Sequence, residues 1–125
     1  MILVDTSVWI EFLKGKTPEL TDKMVLELRN RNVLAASPVF GELWQGVKND
    51  REKSIVDTYW RNLPKENETE LFIEAGKLSN HYQLFSKEVG LIDCVILSLA
   101  LKGNHQLWTL DKKLLSVTEE ILGVV

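Results

Sequence analysis

The first ten residues, Met1-Ile2-Leu3-Val4-Asp5-Thr6-Ser7-Val8-Trp9-Ile10, carry the pattern that decides the fold. Residues 1–4 are fully apolar, as in a strand that is buried on both faces of a parallel sheet. Asp5, Thr6 and Ser7 then supply N-cap chemistry for a helix that we predict through Leu13, with Gly15 ending it. A buried strand that leads directly into a helix indicates an α/β fold.

The rest of the chain repeats this alternation of apolar runs and helical periodicity. Further strands are predicted at residues 33–36 and about 106–110, with a short last strand at 121–125. Helices are predicted from residue 17, from 37 to about 47, from 50, from 70 to 87, from 91 to 102 and from about 112, with residues 65–68 as a connection. Strands that alternate with helices predict an open, mostly parallel sheet with helices on both faces, where ligands bind beyond the carboxyl ends of the strands.

Composition limits the classes of protein that the chain can represent. Its 125 residues predict one domain, residues 1–125, with a core large enough to need no disulfide or structural metal. The single cysteine, Cys94, indicates a reducing, cytoplasmic compartment, and the early Asp5 argues against a signal peptide. No apolar stretch approaches the roughly 20 residues that a membrane-spanning helix needs. The net charge of −3 argues against binding nucleic acid through bulk positive charge, but allows a nuclease whose acids are neutralised by metal.

Two acids directly follow predicted strands. Asp5 ends the first apolar run, and Asp111 stands in the same relation to Leu107-Trp108-Thr109-Leu110. Each alone fits a helix cap better than a ligand, because Asp at a strand-to-helix junction is good capping chemistry. The carboxyl ends of parallel strands meet at one edge of a sheet, so we expect these two side chains to converge there.

Two further acids lie in otherwise apolar helices. Asp93 stands between Leu91-Ile92 and Cys94-Val95-Ile96-Leu97, so its carboxylate needs a compensating ion or basic side chain. The helix N-terminus contributes only about 0.3 to 1 kcal/mol, or about 2 at best, which is too little alone. Glu42 lies in the apolar run of residues 38–47, where a salt bridge at the helix edge is the alternative to a site role. Gly41 and Gly46 in that run predict close backbone approach along the helix.

Asp5, Glu42, Asp93 and Asp111 together predict an all-oxygen metal site. The sequence offers no cysteine–histidine ligand set, and hard oxygen ligands suit Mg²⁺ or Mn²⁺. Mg²⁺ keeps several waters and takes further ligands from a substrate phosphate. Acids that repel one another without metal would, with metal, place an activated water opposite a phosphodiester.

Four stretches of the chain resemble the motifs of the PIN-domain family. They are residues 1–10 with Asp5, residues 38–46 with Glu42, Gly90-Leu91-Ile92-Asp93 at the start of an apolar helix, and Trp108-Thr109-Leu110-Asp111. Within that family the chain resembles the toxin ribonucleases of VapBC-type toxin–antitoxin pairs, over essentially its whole length and in the same order. The resemblance implies a three-layer α/β/α fold, a Mg²⁺- or Mn²⁺-dependent endoribonuclease that cuts RNA, frequent homodimers and inhibition by a small antitoxin.

The resemblance also implies roles for individual residues. It makes three acids the core of the metal site: Asp5, Glu42 and Asp93. It makes Asp111 a fourth, more peripheral acid. It supplies polar companions that orient water, phosphate or an acid: Thr6, Ser7 and Thr109. The antitoxin is expected to obstruct the acidic cleft with a C-terminal segment that delivers a basic side chain.

Other chemically capable residues fit structural roles better. His81 and His105 lack zinc-ligand spacing, and Cys94 fits packing in its apolar helix. The four tryptophans fit the core, although Trp9 and Trp44 flank two of the acids and could instead meet RNA or an inhibitor. A basic group around the end of the Glu42 helix fits a solvated face, with phosphate contact as its alternative: Lys48, Arg51, Lys53 and Arg61.

Two other functions remain open at this point. A receiver-type phospho-acceptor domain also alternates strands and helices around magnesium-binding acids, but needs an acid pair where this chain has Thr6-Ser7 after Asp5. A non-catalytic PIN-like RNA-binding module would keep the fold without turnover. Cleavage of labelled RNA in Mg²⁺ or Mn²⁺ separates the ribonuclease prediction from both.

Overall fold

A three-stranded parallel sheet lies at the centre of the fold. In the computed structural model, which describes residues 1–122, the strands are β1 (Ile2–Val4), β2 (Val33–Leu34) and β3 (Gln106–Trp108), in the order β2-β1-β3. Leu3 of β1 pairs with Leu34 on one side and with Leu107 on the other. This pairing confirms the predicted parallel sheet, and it places the residues that follow β1 and β3 side by side.

Helices make up most of the other described residues. They are α1 (Thr6–Lys14), α2 (Pro18–Arg29), α3 (Ser37–Gln45), α4 (Asp50–Asn62), α5 (Leu71–Tyr82), a 3₁₀ helix (Leu84–Lys87), α6 (Leu91–Gly103) and α7 (Lys112–Leu122). Pro18 and Pro38 stand in the first turns of α2 and α3, where a missing N–H is tolerated. Gly15, with φ 69°, ends α1 in the left-handed conformation. Within residues 1–122 no helix has the length and apolar character needed to cross a membrane.

Four element boundaries differ from the sequence prediction. The helix predicted over residues 70–87 is divided into α5 and the 3₁₀ helix, because Gln83 adopts the left-handed conformation with φ 54°. β2 ends at Leu34, since the N–H of Ala35 bonds to the carbonyl of Pro64, and β3 ends at Trp108 rather than near residue 110. Residues 121 and 122 continue α7, so the last predicted strand is wrong there, and its residues 123–125 lie outside the described part of the chain.

An aromatic cluster fixes the helices that surround the sheet's carboxyl edge. Trp9 of α1 is 1% exposed, and its ring centroid lies 5.4 Å from that of Phe40 in α3 and 5.1 Å from that of Tyr59 in α4. Aromatic pairs of this kind add about 0.5–1.5 kcal/mol beyond the burial of their area. Trp9 is therefore a core residue, and it holds α3, which carries Glu42, against α1, which carries Thr6.

Close backbone approach occurs at a different glycine from the two predicted. A Cβ on Gly41 would meet nothing within 4 Å, and one on Gly46 would make only ordinary contacts, at 3.7 and 3.9 Å, with carbonyl oxygens of its own helix. The prediction for these two residues is therefore wrong. At Gly103, which ends α6, a Cβ would collide with the ring of His105 and the carboxylate of Glu66. Glycine is needed there because the His105–Glu66 contact fills the space that a Cβ would take.

Candidate active site

Asp5 lies at the carboxyl end of β1 and is only 5% exposed. Its N–H donates to the carbonyl of Trp108 at 2.9 Å, which extends the β1–β3 pairing to this residue. Ser7 Oγ and Thr109 Oγ1 each donate to Oδ2 of Asp5 at 2.8 Å. Although Asp5 stands at the N-cap position of α1, its side chain makes no capping bond. Two charge-assisted hydrogen bonds instead offset the burial of the carboxylate.

Ser7 and Thr109 join the two turns that follow β1 and β3. Oγ of Ser7 accepts the N–H of Leu110 at 3.0 Å, and Oγ1 of Thr109 accepts the N–H of Asp111 at 3.0 Å. Because each hydroxyl also donates its proton to Asp5, the direction of that proton is fixed. The two hydroxyls thus hold the Asp5 carboxylate in one orientation.

Glu42 is an exposed residue of α3 that contacts the first turn of α1. Thr6 Oγ1 donates to Oε1 of Glu42 at 2.7 Å. Since Thr6 follows Asp5 directly, this bond places the Glu42 carboxylate beside the end of β1. The salt bridge considered as an alternative is absent, because no ion pair within residues 1–122 involves Glu42.

Asp111 caps α7 at the end of the turn that follows β3. Its Oδ1 accepts the N–H of Lys113 at 2.9 Å and the N–H of Leu114 at 3.0 Å. The capping role considered from the sequence is therefore confirmed for Asp111, and a cap of this type contributes about 1 kcal/mol. Both bonds use Oδ1, so Oδ2 remains the atom through which Asp111 can meet a ligand.

Asp93, in the first turn of α6, is the half-buried acid on which the other three act. Burial, followed by the charges of Asp5, Asp111 and Glu42 in that order, raises the pKa of Asp93 to about 6. Carboxylates from three other segments therefore lie close enough to repel it. The groups that shift this pKa include no basic side chain. The structure thus brings the four predicted acids together beyond the carboxyl ends of β1 and β3.

The four carboxylates are neighbours, but they do not converge on one position that a metal ion could occupy. Within residues 1–122, no three His, Cys, Asp or Glu side chains are arranged to hold one ion. Asp5, Glu42 and Asp111 are each turned toward their own hydrogen-bond donors. The donor set nevertheless fits a hard divalent cation, because it consists of carboxylate oxygens and lies partly out of water, and because no basic side chain acts on Asp93.

The histidines and the cysteine have the structural roles predicted for them. Cys94 is buried in α6, and His105 is buried with Nε2 at 2.7 Å from Oε1 of Glu66. His81 is exposed and packs edge-on against the ring of Tyr82. None of these three residues acts on the pKa of Asp93, so none of them belongs to the acidic cluster.

A cleft of about 500 Å³ lies between α1, α3 and α4, and Glu42 forms part of its wall. Its apolar side chains come from these helices and the turn after α3: Ile10, Leu13, Leu43, Val47, Ile55 and Val56. Three basic residues also line it: Lys14, Lys48 and Arg51. Lys53 and Arg61 instead pair with acids of their own helix, which confirms the solvated-face prediction for those two residues.

The sequence pattern does not single out Lys113, a basic residue of the site. Its N–H donates to Asp111, and its Nζ donates to Oε2 of Glu88 at 2.6 Å. Glu88 lies two residues before Gly90, the N-cap of α6, the helix that carries Asp93. The hydrogen bond and charge of Glu88, with a smaller contribution from Asp111, raise the pKa of Lys113. Its position two residues after a strand-end acid was the one sequence signal that could have found it.

The family model of the PIN domain matches residues 2–120. The chain belongs to the PIN domain family. It is 33% identical over 125 residues to Ribonuclease VapC32 of Mycobacterium tuberculosis, in strain CDC 1551 / Oshkosh and in strain ATCC 25618 / H37Rv. The alignment covers 96% of this chain and 92% of that ribonuclease.

Membership of the PIN domain family confirms the predicted resemblance and the α/β/α fold class. The matched residues include all four acids, Asp5, Glu42, Asp93 and Asp111, and both turns that hold Asp5. Membership of the PIN domain family also decides against a receiver-type domain. That alternative had been considered because receiver domains also alternate strands and helices around magnesium-binding acids.

Proposed function

We propose that this PIN domain is a metal-dependent endoribonuclease that acts as the toxin of a toxin–antitoxin pair. One observation carries the proposal: carboxylates from three separate segments lie close enough to Asp93 that their charges, added to its burial, raise its pKa to about 6. Similarity to Ribonuclease VapC32 over nearly the whole chain supports RNA as the substrate. A site with this much negative charge could hydrolyse RNA phosphodiesters only if a bound cation neutralised the acids.

Asp5, Glu42, Asp93 and Asp111 are the residues that would hold Mg²⁺ or Mn²⁺. Asp5 and Asp111 each direct one oxygen to protein donors and keep the other for a ligand. A bound divalent cation lowers the pKa of a water and offsets the charge that develops on the scissile phosphate. Neutralisation of the like charges would lower the pKa of Asp93 and would favour its ionised carboxylate further.

Three hydroxyl groups position two of these acids. Ser7 and Thr109 restrain Asp5, and Thr6 restrains Glu42. Loss of either donor to Asp5 would leave its buried Oδ2 with a single hydrogen bond and would free the carboxylate to rotate. We therefore assign Thr6, Ser7 and Thr109 as positioning residues, and their direct contact with water or phosphate stays a prediction.

Replacement of Asp93 by asparagine tests this function, because it removes the charge and nearly preserves the shape. The wild type is expected to cleave labelled RNA in Mg²⁺ or Mn²⁺, and Asp93→Asn to lose at least about 100-fold in rate. Mn²⁺ should also raise the thermal midpoint of the wild type and leave that of Asp93→Asn nearly unchanged. This second readout reports metal binding independently of activity.

The matched control is Asp22→Asn, since Asp22 is an exposed acid of α2 outside the site. This variant should cleave RNA and respond to Mn²⁺ as the wild type does. Wild-type cleavage rates for Asp93→Asn, or for the wild type in excess EDTA, would contradict the proposed chemistry. RNA binding by the wild type with no cleavage would favour the non-catalytic RNA-binding module.

A small antitoxin is the proposed protein partner. Its segment would enter the cleft between α1, α3 and α4, which is lined by apolar side chains and by Glu42. A basic side chain delivered there would pair with the carboxylates through charge-assisted hydrogen bonds in place of metal. Trp44, at 39% exposure, is available as an apolar anchor, whereas Trp9 is buried and is not. Homodimer formation and a cytoplasmic location belong to the same proposal.

A further inference from the structure

An RNA substrate must approach an acidic site that repels it. Asp5 and Asp111 lie in the turns that follow β1 and β3, and Thr6 holds Glu42 beside the first of these turns. Phosphates of a bound RNA strand add further negative charge at the same place. Proteins hold such phosphates with lysine and arginine side chains, so positive charge is needed beside the acids.

Lys113 is a basic residue in the first turn of α7, two positions after Asp111. Its N–H bonds to the Asp111 carboxylate, and its Nζ lies 2.6 Å from Oε2 of Glu88. Glu88 directly follows the 3₁₀ helix and precedes the start of α6, which carries Asp93. The ion pair therefore links the first turn of α7, which Asp111 caps, to the segment that leads into α6 and Asp93.

The ion pair between Lys113 and Glu88 is open to solvent. The side chain of Lys113 is 63% exposed and that of Glu88 is 75% exposed. Pairs this exposed add little net stability, because water solvates both charges when they separate. The ammonium can therefore exchange a carboxylate oxygen for a phosphate oxygen at little cost.

We propose that Lys113 binds an RNA phosphate next to the acidic site and that Glu88 competes with the RNA for it. In the free protein the lysine pairs with Glu88, and in the complex it turns to the phosphate. The inference rests on the proposed ribonuclease function and adds a substrate-binding residue to it. Glu88 then limits the affinity for RNA rather than contributing to it.

The two ends of the ion pair give opposite predictions. Lys113→Gln should raise the KM for RNA about 3- to 10-fold, with little change in kcat, because one phosphate contact is lost. The salt dependence of RNA affinity should also fall, by about 0.7 in the slope of log Kd against log salt concentration. Glu88→Gln should lower KM about 2- to 5-fold, because the lysine is released. Lys113→Arg keeps the charge and should stay near the wild-type KM.

Lys87→Gln is the matched control for these variants. Lys87 also joins the 3₁₀ helix to α7 through an exposed ion pair, with Nζ at 3.1 Å from Glu120 Oε1. Its partner lies on the last turns of α7, whereas Lys113 lies on the first turn beside Asp111. Removal of the Lys87 charge should leave the KM and the salt dependence unchanged.

Cleavage kinetics with a labelled RNA measure the KM. Fluorescence anisotropy of the same RNA, in the Asp93→Asn background, measures the affinity and its salt dependence. Opposite shifts for Lys113→Gln and Glu88→Gln support the inference. Equal shifts in one direction would identify the pair as a structural clasp and overturn it, and so would an unchanged affinity in Lys113→Gln. If the wild type fails to cleave RNA, the proposed function fails, while the anisotropy still decides whether Lys113 binds the strand.

Discussion

Asp93 holds a proton more tightly in the folded protein than in the unfolded chain. Its pKa rises from 3.8 to about 6, first through burial and then through the charges of Asp5, Asp111 and Glu42. Between these two pH values the folded state binds more protons at Asp93 than the unfolded state does. The free energy of unfolding therefore falls as the pH rises through this window, and it levels off once the pH is well above 6.

Asp93→Asn should accordingly stabilise the metal-free protein. After a discount for its partial exposure, we expect a gain of about 1–2 kcal/mol at pH 7.5, and less than about half of that at pH 4.5. Urea unfolding of wild type and variant in EDTA at both pH values measures the difference. Equal gains at the two pH values would show that the Asp93 charge is not the cause.

That the four acids lie together could be predicted because each is unusual in its local sequence, while their role in a metal site stays a prediction. Asp5 and Asp111 follow apolar strands, and Asp93 and Glu42 lie within apolar helices. Their hydrogen-bond partners could not be predicted, because Thr109 and Asp5 are 104 residues apart and meet only through the β1–β3 pairing. That residues 1–125 form one domain stays a prediction.

At the scale of single elements, Asp111 at the N-terminus of α7 both caps the helix and belongs to the acidic site. Asp111 caps the helix through Oδ1 and repels Asp93 more strongly than Glu42 does. Asp111→Ala should lower stability by about 1 kcal/mol, while Asp111→Asn should keep the cap, since Asn caps as well as Asp. We expect Asp111→Asn to cost less cleavage activity than amide variants of Asp5, Glu42 or Asp93. Equal losses in RNA cleavage rate at all four positions would refute this ranking.

The end of α6 depends on a glycine for packing. Gly103→Ala should destabilise the protein by about 1–3 kcal/mol, because its Cβ would displace the buried ring of His105 and break its contact with Glu66. Gly76→Ala in α5 is the matched control, since its Cβ would meet nothing within 4 Å. That variant should gain up to about 1 kcal/mol from helix propensity. Thermal unfolding of both variants checks the contrast, and similar shifts would contradict the packing argument.

Strongly patterned elements were predictable, and their interruptions were not. The apolar runs and end residues of β1, α1 and α6 each favour a single secondary structure, so these elements could be predicted. The break between α5 and the 3₁₀ helix occurs at Gln83, where the apolar periodicity continues from Tyr82 to Phe85 without a glycine or proline. Tertiary packing of Leu84, which is fully buried, overrides the local helix propensity there.

At the scale of the whole molecule, the proposed activity predicts harm to the cell that makes it. Expression of the wild type alone should arrest growth, and expression of Asp93→Asn should not. Coexpression of a short neighbouring gene product should restore growth by binding the protein, which a pull-down would recover. Harmless expression of folded wild type, with no partner recovered, would favour a housekeeping nuclease over a toxin.

The central position of β1 has a consequence for synthesis on the ribosome. β1 is made before one of its two neighbours, β3, and before Thr109, one of the two donors to Asp5. At about 5–20 residues per second, translation needs roughly 5–20 s to proceed from the first strand to the third. Until then the nascent chain lacks Asp111 and holds Asp5 by one hydroxyl. A chain still emerging from the exit tunnel is therefore not expected to cut the messenger that encodes it.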